Sequence, residues 1–338
     1  TQEFEQVFAE TLGSKYAVAC NSGTSGLHLC IRALGISDGD EVITSPFSFI
    51  ASSNCILFER GTPVFVDVED GTFNMDTSQI EAAITPKTKA ILPVHVFGQC
   101  ANMTEIMALA EKYSLKEIED ACEAPLGKHK GQVSGTIGDC GTFGFYPNKQ
   151  MTTGEGGMII TNDEEIYRLT KSMRNQGRGD SMQWLSHDRL GYNYRINEMT
   201  AALGVVQTQR LPEFIAQRQA LANKYLERLA DIEGVRLPET AEDNEHAWFV
   251  FGIRVRSEIR DALIEKLNVA GVQSKAYFSP CIHLQNFYKE SFGYKEGDFP
   301  VAEKLSHEMA ILPFYPQMTE EEVDYVYKTL KESMHSLS

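Results

Sequence analysis

The sequence lacks a membrane-length apolar run, a metal-spaced cysteine pair and an excess of basic charge, and each absence removes a class of function. Its longest apolar runs, such as Ala17 to Cys20 and Ala90 to Val94, fall far short of the roughly 20 residues a membrane helix needs. A soluble cytoplasmic protein, with no membrane partner, is the expectation. Seven cysteines are scattered without a CxxC spacing; the odd number argues against a disulfide framework, and the spacing against structural zinc. They read as small core hydrophobes, and no metal site is expected. Basic residues number 31 against 47 acidic ones, a net charge of -16. That balance repels a nucleic-acid backbone, so any anionic ligand must be captured locally.

Repeats, low-complexity tracts and long linkers are also missing from the 338 residues, whose 42% hydrophobic and 23% charged content is ordinarily globular. The opening is unusual. Thr1 replaces an initiating Met, and Phe4, Val7, Phe8 and Leu12 follow at helical spacing up to a Gly13 stop. The chain therefore reads as entering inside a helix, with an upstream segment expected to be absent.

Beyond Gly13, β-rich runs alternate with amphipathic helical stretches to about residue 205. The runs are Tyr16 to Cys20, Glu41 to Ser45, Pro63 to Val68, Ala90 to Val94 and Leu115 to Glu119, then Gly141 to Tyr146 and Gly157 to Thr161 after tighter connections. This alternation predicts an α/β domain over residues 1–205 with a mostly parallel, seven-stranded sheet. A helical pattern with Phe214, Leu221, Tyr225 and Leu229 leads into a smaller α+β domain, giving a second unit over residues 206–338. That unit holds an alternating strand, Ala247 to Val255, and a Thr319 to Glu322 capping box before a last helix.

Three segments fall where open α/β sheets bind ligands, at the carboxyl ends of strands. Asn21-Ser22-Gly23-Thr24-Ser25-Gly26 lies between a strand and a helix, where free backbone N–H groups suit a phosphate; alone it is equally an ordinary helix cap. Ile118-Glu119-Asp120-Ala121-Cys122-Glu123 ends an apolar strand in a carboxylate. Buried there, Asp120 requires a cationic or donor partner, such as the protonated ring nitrogen of pyridoxal phosphate, unless it is a helix N-cap. Phe143 to Gly157 sets Lys149 between a strand and a Gly-rich turn. A lysine so placed can be desolvated, as a Schiff-base amine requires, or can be a solvated loop residue.

Taken together the segments resemble the DegT/DnrJ/StrS aminotransferases. Leu34-Gly35 with Gly39-Asp40-Glu41-Val42-Ile43, Pro63 to Asp67, Val94-His95-Val96-Phe97-Gly98-Gln99, the Lys149 segment, Gly191-Tyr192-Asn193-Tyr194-Arg195 and Leu312-Pro313 carry the resemblance over nearly the whole chain. It implies the type I, aspartate aminotransferase-like fold and the cofactor pyridoxal 5'-phosphate. Lys149 would bond the cofactor and Asp120 would hold its ring nitrogen, these two being the catalytic pair. Gly23, Thr24 and Ser25 would hold the phosphate, Phe49 would stack on the ring, and Glu123 would lie near the 3-hydroxyl. Asn193 would reach the phosphate of a neighbouring subunit, which implies a homodimer with shared active sites. Without the resemblance, Phe49 reads equally as core.

The implied reaction moves an amino group from L-glutamate to a nucleotide-linked keto sugar, with Lys149 moving the protons. A cyclitol or other keto substrate, and a non-catalytic sensor that binds the cofactor, are the alternatives. His283, in Tyr277-Phe278-Ser279-Pro280-Cys281-Ile282-His283, and Arg195 are the substrate candidates, each with a structural alternative. His95 reads as a packed strand-end residue. Two positions depart from the family: Gly144 stands where a phosphate-binding Ser is usual, and Glu117 where a strand carries an apolar residue.

Overall fold

The computed structural model describes residues 1–179 and 185–337. The alternation seen in the sequence closes into a seven-stranded sheet. In chain order its elements are α1 (Gln2–Leu12), β1 (Tyr16–Cys20), α2 (Gly23–Ala33), β2 (Glu41–Thr44), α3 (Ala51–Phe58), β3 (Thr62–Phe65), α4 (Thr77–Ala83), β4 (Thr88–Ile91), α5 (Met103–Tyr113) and β5 (Lys116–Asp120). Two short strands, β6 (Lys128–His129) and β7 (Gln132–Val133), precede β8 (Cys140–Gly144), β9 (Gly157–Thr161) and α6 (Glu164–Arg174). The sheet runs β1-β9-β8-β5-β4-β2-β3, and β9 alone is antiparallel to its neighbours. All seven strands follow the runs read from the sequence, with ends displaced by up to three residues.

Both faces of the sheet are covered, which is why its strands read as near-continuous apolar runs rather than alternating ones. On one side α1 packs Phe4 and Phe8 against Phe143 and Phe145 from β8 and its extension. On the other, Leu27, Leu29 and Ile31 of α2 join Ile118 and Ile159 in the main core.

The long helix α7 (Glu198–Arg228) runs without a break through residue 205, so the second unit begins inside a helix. Beyond α7 lie β10 (Asn244–Glu245), which pairs with β6, and β11 (Phe251–Arg254), then α8 (Ser257–Val269), α9 (Asn286–Phe292), α10 (Pro300–Glu308), β12 (Met309–Leu312) and α11 (Glu320–Leu337). The predicted strand from Ala247 is shorter than expected: only Phe251–Arg254 pairs, with β12. Residues 247 and 249 turn their backbone donors to the large sheet's loops instead, where Ala247 N–H meets the Gly98 carbonyl and Phe249 N–H the Phe97 carbonyl. The Thr319 to Glu322 capping box forms with both reciprocal hydrogen bonds.

Candidate active site

The carboxyl ends of β1, β2, β4 and β5 converge on one place. The first turn of α2 is capped by Ser22, whose Oγ accepts the Ser25 amide at 3.1 Å, while Gly26 N–H returns to the Ser22 carbonyl. The amides of Gly23 and Thr24 are left without an intrahelical acceptor. This turn lies hard against the sheet: a Cβ at Gly23 would stand 2.8 Å from Cys122 Sγ and 3.3 Å from Gly144 Cα. No side chain fits between the turn and the strand ends, so backbone donors line a cradle suited to a phosphate. Ser25 is buried and Thr24 half-buried. Gly144, the departure from the family's Ser, sits beside Gly23, and a Cβ there would make only ordinary contacts.

Asp120 closes β5 with 6% of its surface exposed. Ser52 Oγ–H donates to its Oδ2 at 2.8 Å and the Cys122 amide to its Oδ1 at 3.2 Å. Among the described residues, no basic side chain forms an ion pair with it. A buried carboxylate served only by neutral donors is costly, and a ring N–H⁺ is a fitting partner. Phe49, which precedes α3, is 64% exposed. That exposure removes the core-packing alternative and leaves an aromatic face open to a ligand.

Lys149 stands in the turn after β8, half-buried, with Nζ 3.3 Å from Glu123 Oε1 and 4.1 Å from the Phe249 ring centroid. Burial pushes the Glu123 carboxyl above the usual range, while Lys149 and the Phe97 amide, which donates to Oε2 at 3.0 Å, pull it back. The cradle, the unpaired buried carboxylate and the adjacent lysine together fit pyridoxal phosphate.

The remaining candidates divide. Asn193 is exposed, between Tyr192 and Tyr194, which stack on each other at 4.9 Å. Those rings are anchored to Glu59 and His28, and the Asn21 amide donates to the Tyr194 carbonyl. Asn193 thus projects from a rigid support that touches the α2 turn. Arg195 is exposed, with Nη1 on Asn175 Oδ1 at 3.0 Å. His283 is the exception. It is fully buried, with Nε2 3.0 Å from Glu303 Oε1 and its ring against Phe299, so it offers a substrate no surface. The start of the same motif carries the site contact: Tyr277 packs on Phe97 and Phe249, and proximity to Glu123 adds to the burial that raises its hydroxyl.

His95 is a packed strand-end residue, as expected: Nδ1 accepts the Ala101 amide, so Nε2–H donates to the buried Glu119 at 2.8 Å. Glu117, the other departure, is partnered by an acid. Burial raises its carboxyl to about 8, aided by its hydrogen bond to Asp139. Asp139 is half-buried, which raises its carboxyl, but hydrogen bonds from Glu117 and Lys116 hold it below its usual range. Ser52, Phe97 and Phe249 escaped the sequence reading, since each reaches the site from a remote segment.

The chain is similar to GDP-perosamine synthase of Caulobacter vibrioides, at 38% identity over 97% of this chain and 88% of the relative. Among solved structures it is similar to DesV of S. venezuelae, with a TM-score of 0.94 and 34% identity over 98% of this chain and 88% of that one. It also superposes on NtdA from Bacillus subtilis, solved with bound cofactor PMP, with a TM-score of 0.90 and 33% identity over 99% and 77% of the two chains. With these likenesses, and with the sequence pattern of the DegT/DnrJ/EryC1/StrS aminotransferase family matching residues 1–331, the chain belongs to that family of pyridoxal-phosphate enzymes.

Proposed function

We propose that this enzyme transfers an amino group from L-glutamate to the keto group of a nucleotide-linked sugar, in the cytoplasm, as a homodimer with shared active sites. The observation that carries the reading is the meeting of Lys149 and Glu123 beside Asp120 and the α2 turn. The similarity to a GDP-sugar synthase supports the substrate class. When bound, the cofactor supplies an electron-withdrawing ring and a carbonyl carbon that carries nitrogen between donor and acceptor.

The protein's part is to hold and to move protons. Asp120 keeps a proton on the ring nitrogen, with Ser52 and the Cys122 amide fixing both of its oxygens. Gly23, Thr24 and Ser25 anchor the phosphate, and Phe49 covers one face of the ring. Lys149 Nζ takes the proton from the donor's α-carbon, and in the second half of the cycle gives one to the sugar carbon that receives nitrogen. Glu123 lies beside that amine and orients it through the 3.3 Å contact. Arg195, exposed next to the Asn193 motif, is the anion partner for a nucleotide phosphate. No helix among the described residues is long and apolar enough to cross a membrane.

A panel of GDP-, UDP- and dTDP-linked keto sugars and of cyclitol ketones, each with glutamate and read by mass spectrometry, tests the substrate class. An aminated nucleotide sugar is expected. Amination of cyclitol ketones alone, or cofactor binding with no turnover on any substrate, would overturn the reading.

A further inference from the structure

Phe249 lies 100 residues along the chain from Lys149, yet its ring centroid is 4.1 Å from the lysine Nζ. The placement is fixed from several sides. Phe249 N–H donates to the Phe97 carbonyl at 2.7 Å, and Phe97 N–H donates to Glu123 Oε2 at 3.0 Å. One residue thus ties the aromatic ring to the lysine's carboxylate. Phe97 holds this bridge at a φ of 58°, a left-handed conformation that costs a bulky residue energy. Next to it, Gly98 has a φ of 105°, and a Cβ there would sit 2.7 Å from Trp248 N and 2.9 Å from Phe249 N. Any other residue at 98 would push the 247–249 segment away.

Two buried side chains lock the segment further. Gln150, next to Lys149, donates from Nε2 to the carbonyls of both Glu123 and Ala247. Arg218 of α7 donates to the carbonyls of Trp248 and Phe249 at 3.1 and 3.0 Å. These bonds fix where the Phe249 ring stands relative to Lys149.

We propose that Phe249 is a positioning residue for Lys149, its ring face receiving the lysine ammonium in the cofactor-free protein and once the freed amine has taken the donor's proton, and keeping it beside Glu123. This rests on the reading of Lys149 as the cofactor lysine. The negative face of a buried aromatic ring attracts a cation without hydrogen-bond geometry, so the amine can leave and return along the face. Glu123 alone is a weaker anchor, because burial favours its neutral form.

The test replaces Phe249 by phenylalanines of increasing ring fluorination, which drains the negative face while preserving shape, alongside Phe249→Leu and Phe249→Tyr. In cofactor-free protein, acetylation of Lys149 is followed by peptide mass spectrometry against exposed Lys89 as reference. Acetylation consumes the neutral amine, which the ring face disfavours. Labelling of Lys149 is expected to rise stepwise with fluorination, by about tenfold at full loss of the face, with Phe249→Tyr matching the parent. In holoenzyme, kcat should fall in the same order with KM unchanged. Labelling and kcat indifferent to fluorination would overturn the proposal, and the fluorinated series decides even where Phe249→Leu fails to fold. Borohydride capture of the cofactor in the parent separates the two readings. Capture away from Lys149 overturns the lysine assignment and this proposal with it, whereas capture on Lys149 with no response to fluorination overturns the Phe249 role alone.

Discussion

Ser52 Oγ–H donates to Asp120 Oδ2 at 2.8 Å, joining the first turn of α3 to the end of β5 across 68 residues of sequence. The bond leaves Asp120 an acceptor aimed by neutral groups, with its charge free for the cofactor ring. Asp120→Asn keeps the shape and removes that charge. A fall in kcat of at least about a hundredfold is expected with cofactor still bound, equal to about 2.7 kcal/mol of barrier. Ser52→Ala removes only the aiming bond and should cost about tenfold. Steady-state kinetics beside the cofactor absorption spectrum distinguish the two, and near-normal turnover in Asp120→Asn would end the role assigned to that residue.

The raised Glu117 carboxyl, beside the lowered Asp139, gives the fold a pH dependence. A carboxyl raised from 4.5 when unfolded to about 8 when folded contributes stability that is complete below 4.5 and is lost as the pH rises through about 8. Asp139, held low, acts in the opposite sense, its contribution fading only as the pH falls into the carboxylate range. Glu117→Gln donates to Asp139 without a titrating proton. Between about pH 6 and about pH 9 the parent should lose about 2–5 °C more in melting temperature than the variant. Equal losses by differential scanning calorimetry would exclude a raised Glu117 carboxyl.

The shared-site reading makes a third prediction, carried by the exposed Asn193 on its stacked tyrosine support. Mixing Lys149→Ala protein with an Asn193→Ala protein, under conditions that exchange subunits, should restore activity. In each hybrid dimer one site carries both lesions and the other neither, so recovery of about a quarter of the parent's activity is the statistical ceiling. Hybrid dimers that form and stay inactive would exclude action of Asn193 across the interface.

What the sequence revealed, and what it hid, follows from the range of each interaction. The seven strands were legible because burial on both faces gives each a continuous apolar run between turn signals. Lys149, Asp120 and the α2 turn stood out as candidates because each is local, a polar residue in a fixed place after a strand. Phe249 was hidden for the opposite reason: Ala247 to Val255 alternates like a strand, and only the Gly98 and Phe97 carbonyls show that residues 247 and 249 are drawn to the large sheet's loops instead. His283 was misplaced because its motif divides, Tyr277 facing Glu123 and His283 turning inward to Glu303. Glu117 stood out only as a break in an apolar strand; its partner Asp139 lies just before β8, the strand that pairs with β5. The stretch from Arg174 to Asp188, which reads as a polar loop ahead of the Asn193 motif, falls partly outside the described residues, at 180–184.

The central claim is that Lys149 bonds the cofactor, and one measurement addresses it directly. Holoenzyme is reduced with borohydride, digested, and the peptide carrying the fluorescent pyridoxyl group is sequenced by mass spectrometry. The account predicts a single labelled peptide modified at Lys149, and no covalent label and a loss of turnover of at least about a thousandfold in Lys149→Ala. A label on any other lysine, or a Lys149→Ala protein that completes turnover at the parent's rate, would contradict it.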